Sequence, residues 1–449
     1  MNSRTLAVLA GLCLLAYLPL YRQPLLEDDW PNIELAGNWI GLLGDSVFRW
    51  RTLHWILTNG IERAFGVWAP AYYTASIALH IAATWVVYAT GALPQIGWRV
   101  SAIAAAFFAV YEGHQEAVMW YSASAETLMF VFGAAAVILF ARGRTWQALA
   151  LFAAALASKE SAVIFAALML VAACELRDRA GSRGALLRWL PFGALGVAYA
   201  AWIAAARASS FRFRDGSFSL SAPFWITWPV SYWRMLWIWG LAALIVLVLR
   251  RAWPRAARFG LLWMAVGLVP YIFLTYMTRV PSRHTYIASA GLALLVGAAV
   301  AKLGRRAATI AVVVFVLVNV GYLWTRKRAQ FLERAAPSES LVAFARSTAA
   351  PAIYLRCFPG PAVTPESAVR LTTGKRVVWK PEPGAAEFCW RLSRASAAGR
   401  ARPPRGSAGL AARLNRLGRA GSQTGASAPH HSWRSATIGS TCMARRAGR

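Results

Sequence analysis

The chain has 449 residues, of which 58% are hydrophobic and only 15% charged, with a mean hydropathy of +0.45. A soluble domain carries about a quarter of charged residues, so this composition belongs to a polytopic membrane protein. The formal charge of +30 would suit nucleic acid, but its distribution excludes that partner: Lys and Arg number 26 against 13 Asp and Glu through residue 325, and 22 against 5 beyond it. The first share lies in loops between apolar runs, as the positive-inside rule requires, and the second forms a basic tail.

The first apolar run, Leu6 to Leu20, is long enough to cross a bilayer once tilt is counted. It lacks a small-residue cleavage site and reads as a retained first helix. Three consecutive carboxylates follow, in Leu26-Glu27-Asp28-Asp29-Trp30. Acids crowded at a membrane exit repel one another and resist entry into lipid, so a use for them is expected there. The polar-aromatic stretch to Trp68 reads as a large first loop whose portions Ile33–Leu43 and Val47–Leu57 lie as amphipathic helices at the interface. Further spans are expected at Ala69–Ala89, Val100–Tyr111 and Thr127–Ala141.

Trp146–Leu176 is 31 residues, roughly 46 Å as one helix at about 1.5 Å per residue, against a core of about 30 Å. A lysine at its centre would be costly in lipid, so two short helices joined at Ser158-Lys159-Glu160-Ser161 are expected. Spans at Trp189–Ala206, Trp233–Leu249, Phe259–Met277, Tyr286–Val300 and Ala307–Trp324 bring the count to eleven. With the N-terminus inside, the loop arginines collect on the cytoplasmic face. Of thirteen acids before residue 326, only Glu175 and Asp178 then fall inside, while Asp45 and Asp215 are among those outside. Acids contribute little to topology, so their gathering on one face points to a polar site there.

Beyond the spans an amphipathic helix is expected over Ala329–Arg346. A small mixed segment follows, with strands at Ile353-Tyr354-Leu355 and Val377-Val378-Trp379. The domains are thus 1–325 in the membrane, 326–392 as an appendage, and 393–449 as a tail with 11 basic residues and no acids, a composition that cannot bury a core. The five cysteines show no metal-ligand spacing. Cys357 and Cys389 pair if the appendage lies in an oxidising compartment, and are otherwise free thiols.

Four polar clusters fall on the acidic face. They are Glu27-Asp28-Asp29-Trp30; His114-Gln115-Glu116 through Trp120, with Glu126; Ser158-Lys159-Glu160-Ser161; and Arg279 through Tyr286. Arg51 and His54 in the first loop read as interface anchors. A carboxylate can take the proton of an attacking hydroxyl, and Arg or Lys can hold a departing phosphate. Together the clusters suit movement of a sugar from a phosphate-linked lipid to a hydroxyl. A transporter or flippase of a lipid-linked or anionic solute is the alternative, and would favour paired repeats, of which none is seen.

Over about residues 5–325, these clusters in this order resemble the GT-C class of glycosyltransferases that use polyprenyl-phosphate sugars. The resemblance is closest to the membrane half of the tetratricopeptide-type protein O-mannosyltransferases and their bacterial relatives. It implies a GT-C-like all-α bundle in the cytoplasmic (inner) membrane, with its site on the extracytoplasmic face. The implied reaction moves a hexose-type sugar from a polyprenyl-phosphate donor to a glycan, lipid or protein hydroxyl, with inversion. The resemblance implies Asp28 or Asp29 as catalytic base and Arg283 and His284 as carrier-phosphate contacts; the clusters themselves add Lys159 and Tyr286 as expected phosphate contacts, and His114, Glu116, Glu126 and Glu160 as supporting polar groups. No cofactor is implied, although a divalent cation is compatible with the acids. The chain departs from the family in having no tetratricopeptide repeats, and in Glu112-Gly113-His114, where the family has a proline after its histidine.

Overall fold

The computed structural model describes residues 1–42, 51–176, 182–206, 219–275 and 279–390. The expectations for Val47 to Trp50, Asp45, Asp178, Asp215 and the 393–449 tail lie outside them.

Each of the eleven expected spans holds a helix among the described residues. Besides a single turn at Trp39–Leu42, the α-helices in chain order are α1 (Ser3–Tyr17), α2 (Asp29–Ala36), α3 (Thr52–Phe65), α4 (Ala69–Ala89), α5 (Trp98–Val110), α6 (Gln115–Met119), α7 (Ser124–Ala141), α8 (Thr145–Ser158), α9 (Ile164–Glu175) and α10 (Ser182–Ala206). They continue with α11 (Phe224–Leu236), α12 (Trp239–Leu249), α13 (Arg255–Gly267), α14 (Tyr286–Val300), α15 (Arg305–Tyr322) and α16 (Arg328–Ser347). Six helices among the described residues are long and apolar enough to cross a membrane alone, or seven if α11 and α12, bent by 71° at their junction, form one span. The other expected spans hold shorter helices: α5, α8, α9 and α13 have 12 to 14 residues, about 18–21 Å of helix. The expected break in Trp146–Leu176 is present, a 3₁₀ turn at Glu160–Val163 between α8 and α9.

Helix α14 is the centre of the bundle. All fifteen of its residues are buried, and it packs against α13, α5, α12 and α7. Its sequence YIASAGLALLVGAAV is apolar on every side, as a helix enclosed by others must be. Its small residues let neighbours approach closely, which is how helices associate without a hydrophobic drive in lipid. A Cβ on Gly260 would stand 2.5 Å from the Gly291 carbonyl oxygen, and one on Gly297 would stand 2.5 Å from that of Val100. Outward, Ile310, Val313, Val314, Leu317 and Val318 of α15 and Val248 and Leu249 of α12 are exposed, presenting an apolar girdle to lipid.

Helix α15 runs through a π-helical turn, Leu323–Lys327, directly into α16. The expected boundary at 325/326 therefore lies inside a continuous helix, and residues Met1–Trp390 form one unit. A small lobe follows: β1 (Ala352–Cys357), α17 (Val363–Thr373), β2 (Arg376–Val378) and β3 (Ala385–Cys389). The three strands are parallel in the order β2-β1-β3, with Ile353 opposite Val377 and Ala386. The third strand was not legible in the sequence. Cys357 and Cys389 form a disulfide between β1 and β3. Ala368 and Leu371 of α17 pack with Trp30 and Ile33 of α2 and with Tyr72 and Tyr121, and Arg370 pairs with Glu34, so the lobe is docked on the first loop.

Replacing Gly291 with alanine should destabilise the protein by about 1–3 kcal/mol, because the added methyl meets the backbone of α13. Gly321→Ala, with nothing within 4 Å, is the control and should melt like wild type in detergent.

Candidate active site

The four polar clusters converge at one end of the bundle. The ends of α1, α8 and α13 meet the beginnings of α7, α9 and α14 there. Contacts between Arg99 and Leu303, and between Glu175 and Arg258, mark the opposite end.

Two adjoining networks occupy the site end. The first is built on Glu126, at the start of α7 and wholly buried. Its Oε1 accepts from Lys159 Nζ and His284 Nδ1, each at 2.5 Å, and its Oε2 from the Tyr271 hydroxyl at 2.7 Å. That hydroxyl also lies 2.8 Å from Ser161 Oγ. One carboxylate thus ties α7, the α8–α9 break, the turn after α13 and the turn before α14. Beside it, Arg51 donates to both carboxylate oxygens of Glu160, at 2.8 and 3.2 Å. Burial, with Arg51 and Lys159 nearby, pushes His54 down to about 3, so this ring is neutral.

The second network is more open. Arg283, in the 3₁₀ turn Ser282–Thr285, stands 3.6 Å from Glu116, whose Oε2 also accepts from the Arg283 backbone N–H at 3.1 Å. Burial pushes the Glu116 carboxyl up, but the Arg283 charge and backbone N–H, the Ser282 hydroxyl and the Arg334 charge together outweigh it, and the net shift is downward. The Arg283 guanidinium lies 5.1 Å from the centre of the Trp120 ring, within cation–π range. Arg334 of α16 lies 4.6 Å from the same ring and donates to both oxygens of Glu27, at 2.9 and 3.1 Å.

The acidic pair divides. Asp29 is fully buried: Oδ1 accepts from the Ser122 N–H at 2.7 Å and hydroxyl at 2.6 Å, and Oδ2 from the Leu26 N–H at 2.8 Å. Burial pushes this carboxyl up to about 7, with the Ser122 and Leu26 donors opposing and Asp28 adding to the rise. Asp28, at the N-cap of α2, is exposed. Asp29 therefore anchors the loop to Ser122, two residues along from Trp120, and Asp28 is the solvent-exposed member of the pair.

Two expected site residues are turned elsewhere. Tyr286 donates to His80 Nδ1 at 2.7 Å, and His80 Nε2 faces the Ala109 carbonyl at 3.0 Å, which fixes the tautomer. His114 Nε2 bonds Ser289 Oγ at 2.6 Å, and its ring packs on Phe108 and Tyr286. Both belong to a buried aromatic core, because α14 begins after Arg283 and turns Tyr286 inward. Conversely, Arg334, Tyr271 and Ser122 went unread in the sequence: each is a single residue outside any cluster. Among the described residues no three His, Cys, Asp or Glu side chains come together as a metal-ligand set.

No protein-family model and no curated protein matches the chain. Among solved structures, it is similar to ArnT from Cupriavidus metallidurans bound to undecaprenyl phosphate, with 12% identity, a TM-score of 0.49, and coverage of 82% of this chain and 85% of that one. Identity and superposition of this degree leave the function to be read from the site itself.

Glu126→Gln should destabilise the protein by about 3–5 kcal/mol, since it leaves Lys159 buried without its counter-charge. A near-native detergent melt would overturn Glu126's place as the brace. Asp29 gives a pH signature. With a pKa raised from 3.8 to about 7, the native state holds a proton that the unfolded state has released across that window, so stability falls as pH rises through it. Melting temperature should decline from pH 4 to 7 more steeply in wild type than in Asp29→Asn, whose side chain does not titrate.

Proposed function

We propose that the protein is a membrane glycosyltransferase that moves a sugar from a polyprenyl-phosphate carrier to a hydroxyl acceptor, with its site on the extracytoplasmic face. The observation that carries this reading is the placement of an exposed carboxylate, Asp28, on a loop pinned by buried Asp29, at the same bundle end as Arg283 stacked on Trp120. A base for the acceptor and a cation for the leaving group are both needed, and few other chemistries need them at a membrane surface.

In this reading Asp28 takes the acceptor's proton as the hydroxyl oxygen attacks the anomeric carbon. The bond from that carbon to the phosphate oxygen breaks on the opposite side, and the configuration inverts. Arg283 holds the lipid phosphate as charge develops on it. Lys159 and His284 act through Glu126, setting the turn that carries Arg283, and Glu160 holds Arg51 beside them. Trp120, exposed Trp68 and Trp225 suit a site at the lipid–water boundary. The disulfide in the lobe docked at this end favours an oxidising, extracytoplasmic compartment.

The test is transfer from polyprenyl-phosphate sugars by purified full-length variants. Asp28→Asn should lower turnover about 100- to 10,000-fold while leaving carrier binding near native. Asp29→Asn should act mainly by loosening the loop, with a lower melting temperature. Near-native turnover in both variants would move the reaction away from the first loop.

A further inference from the structure

The strongest feature that the reading above leaves unused is Arg334. It reaches the site from beyond the membrane helices, on α16. The π-helical turn at Leu323–Lys327 changes the helix register there. Such a turn inserts one residue and rotates the helix beyond it, and π-turns often occur at functional sites. Upstream, α15 presents its apolar side to lipid; downstream, Arg334 faces the first loop and Trp120.

The two guanidiniums, Arg334 and Arg283, share a single indole, at 4.6 and 5.1 Å from its centre. Each has one carboxylate beside it, Glu27 and Glu116, but neither is saturated. Arg334 engages Glu27 through Nε and Nη2, leaving Nη1 without a hydrogen-bond partner among the described residues. Arg283 meets Glu116 only at 3.6 Å, beyond hydrogen-bond length, so its guanidinium donors are open. Both side chains are partly exposed, at 29% and 23%, so a ligand can reach them. Two planar forks held by one ring, with donors to share, match the several oxygens of a phosphate better than one fork does. This differs from the Lys159–Glu126–His284 group, where buried charges already satisfy one another.

We propose that Arg334 and Arg283 form a two-arginine clamp for the phosphate of the lipid carrier, with Trp120 holding both guanidiniums and Glu27 serving as the counter-charge of Arg334 until the carrier's phosphate displaces it. The clamp rests on the transferase reading for the source of its phosphate, and it makes the C-terminal helix part of the donor site.

The experiment uses full-length protein in detergent and the probes geranylgeranyl phosphate, geranylgeraniol and inorganic phosphate. Arg334→Ala should weaken geranylgeranyl phosphate binding about 10-fold or more, the loss expected for a charged hydrogen bond, and leave geranylgeraniol unaffected. Arg334→Gln, which keeps a donor toward Glu27 but no charge, should show the same loss and carries the test if the alanine variant does not fold. Glu27→Gln separates the clamp from a mere staple between α16 and the first loop. A clamp predicts phosphate binding unchanged or tighter, because Arg334 is freed; equal losses in Glu27→Gln and the Arg334 variants overturn the proposal, as does unchanged binding in those variants. Inorganic phosphate bound as tightly as the lipid phosphate would overturn the carrier as its source. If the Arg334 variants lose phosphate binding while no sugar is transferred by wild type, the clamp stands and the transferase reading fails. If Asp28→Asn abolishes transfer while the Arg334 variants bind normally, the reverse holds.

Discussion

Close approach to α14 is the constraint on which the rest of the structure depends. In lipid there is no hydrophobic drive for one helix to seek another, so contact has to come from fit. Gly291 against Gly260 and Gly297 against Val100 allow backbones to meet, and every residue of α14 is enclosed. The helix begins where the polar site begins. Arg283 and His284 sit in the turn just before it, so the fixed position of α14 fixes theirs. A looser packing would leave the site residues present but unplaced.

The polar end solves two electrostatic problems differently. Around Glu126, buried charges are matched by opposite charge and by hydrogen bonds, which is what burial demands of them. That network is buried and serves to join separate segments of the chain. Around Trp120 the side chains are partly exposed: Arg283 stands 3.6 Å from Glu116, while Arg334 holds Glu27 in a two-bond fork. Partly exposed guanidiniums remain within reach of a ligand. On the proposed function, the buried network positions and the exposed one binds.

The small α/β lobe adds a third layer of support. Its helix α17 packs on α2 with Arg370 against Glu34, and α16 reaches Glu27, so the acidic loop is held from the lobe as well as from the bundle. From the bundle the same loop is tied by Asp29 to Ser122, by Gln23 to the Met119 carbonyl and by Asn59 to the Ala36 carbonyl. The disulfide between β1 and β3 closes the lobe's own sheet. The C-terminal part of the described chain is thus a structural partner of the first loop, joined to it across more than 300 residues of sequence.

Composition and periodicity in the sequence were enough for an all-helical membrane protein, because apolar runs and loop arginines obey solvent partition alone. The break at Ser158–Ser161 was legible for the same reason: a lysine cannot sit at mid-membrane in a helix that is also too long. Clustering of acids and arginines was legible as a shared face. What the sequence left undetermined are choices made by contact. Asp28 and Asp29 are identical neighbours in the chain, and only the meeting with Ser122 makes one an anchor and leaves the other exposed. Tyr286 and Arg283 are three residues apart, yet the start of α14 sends one into the aromatic core and leaves the other over Trp120. Arg334 lay in an apparent appendage and is brought to the site by a helix that does not stop at the membrane edge. Solvent preference is a property of each residue and can be read one position at a time; partnership between residues far apart in the chain exists only once the helices have packed.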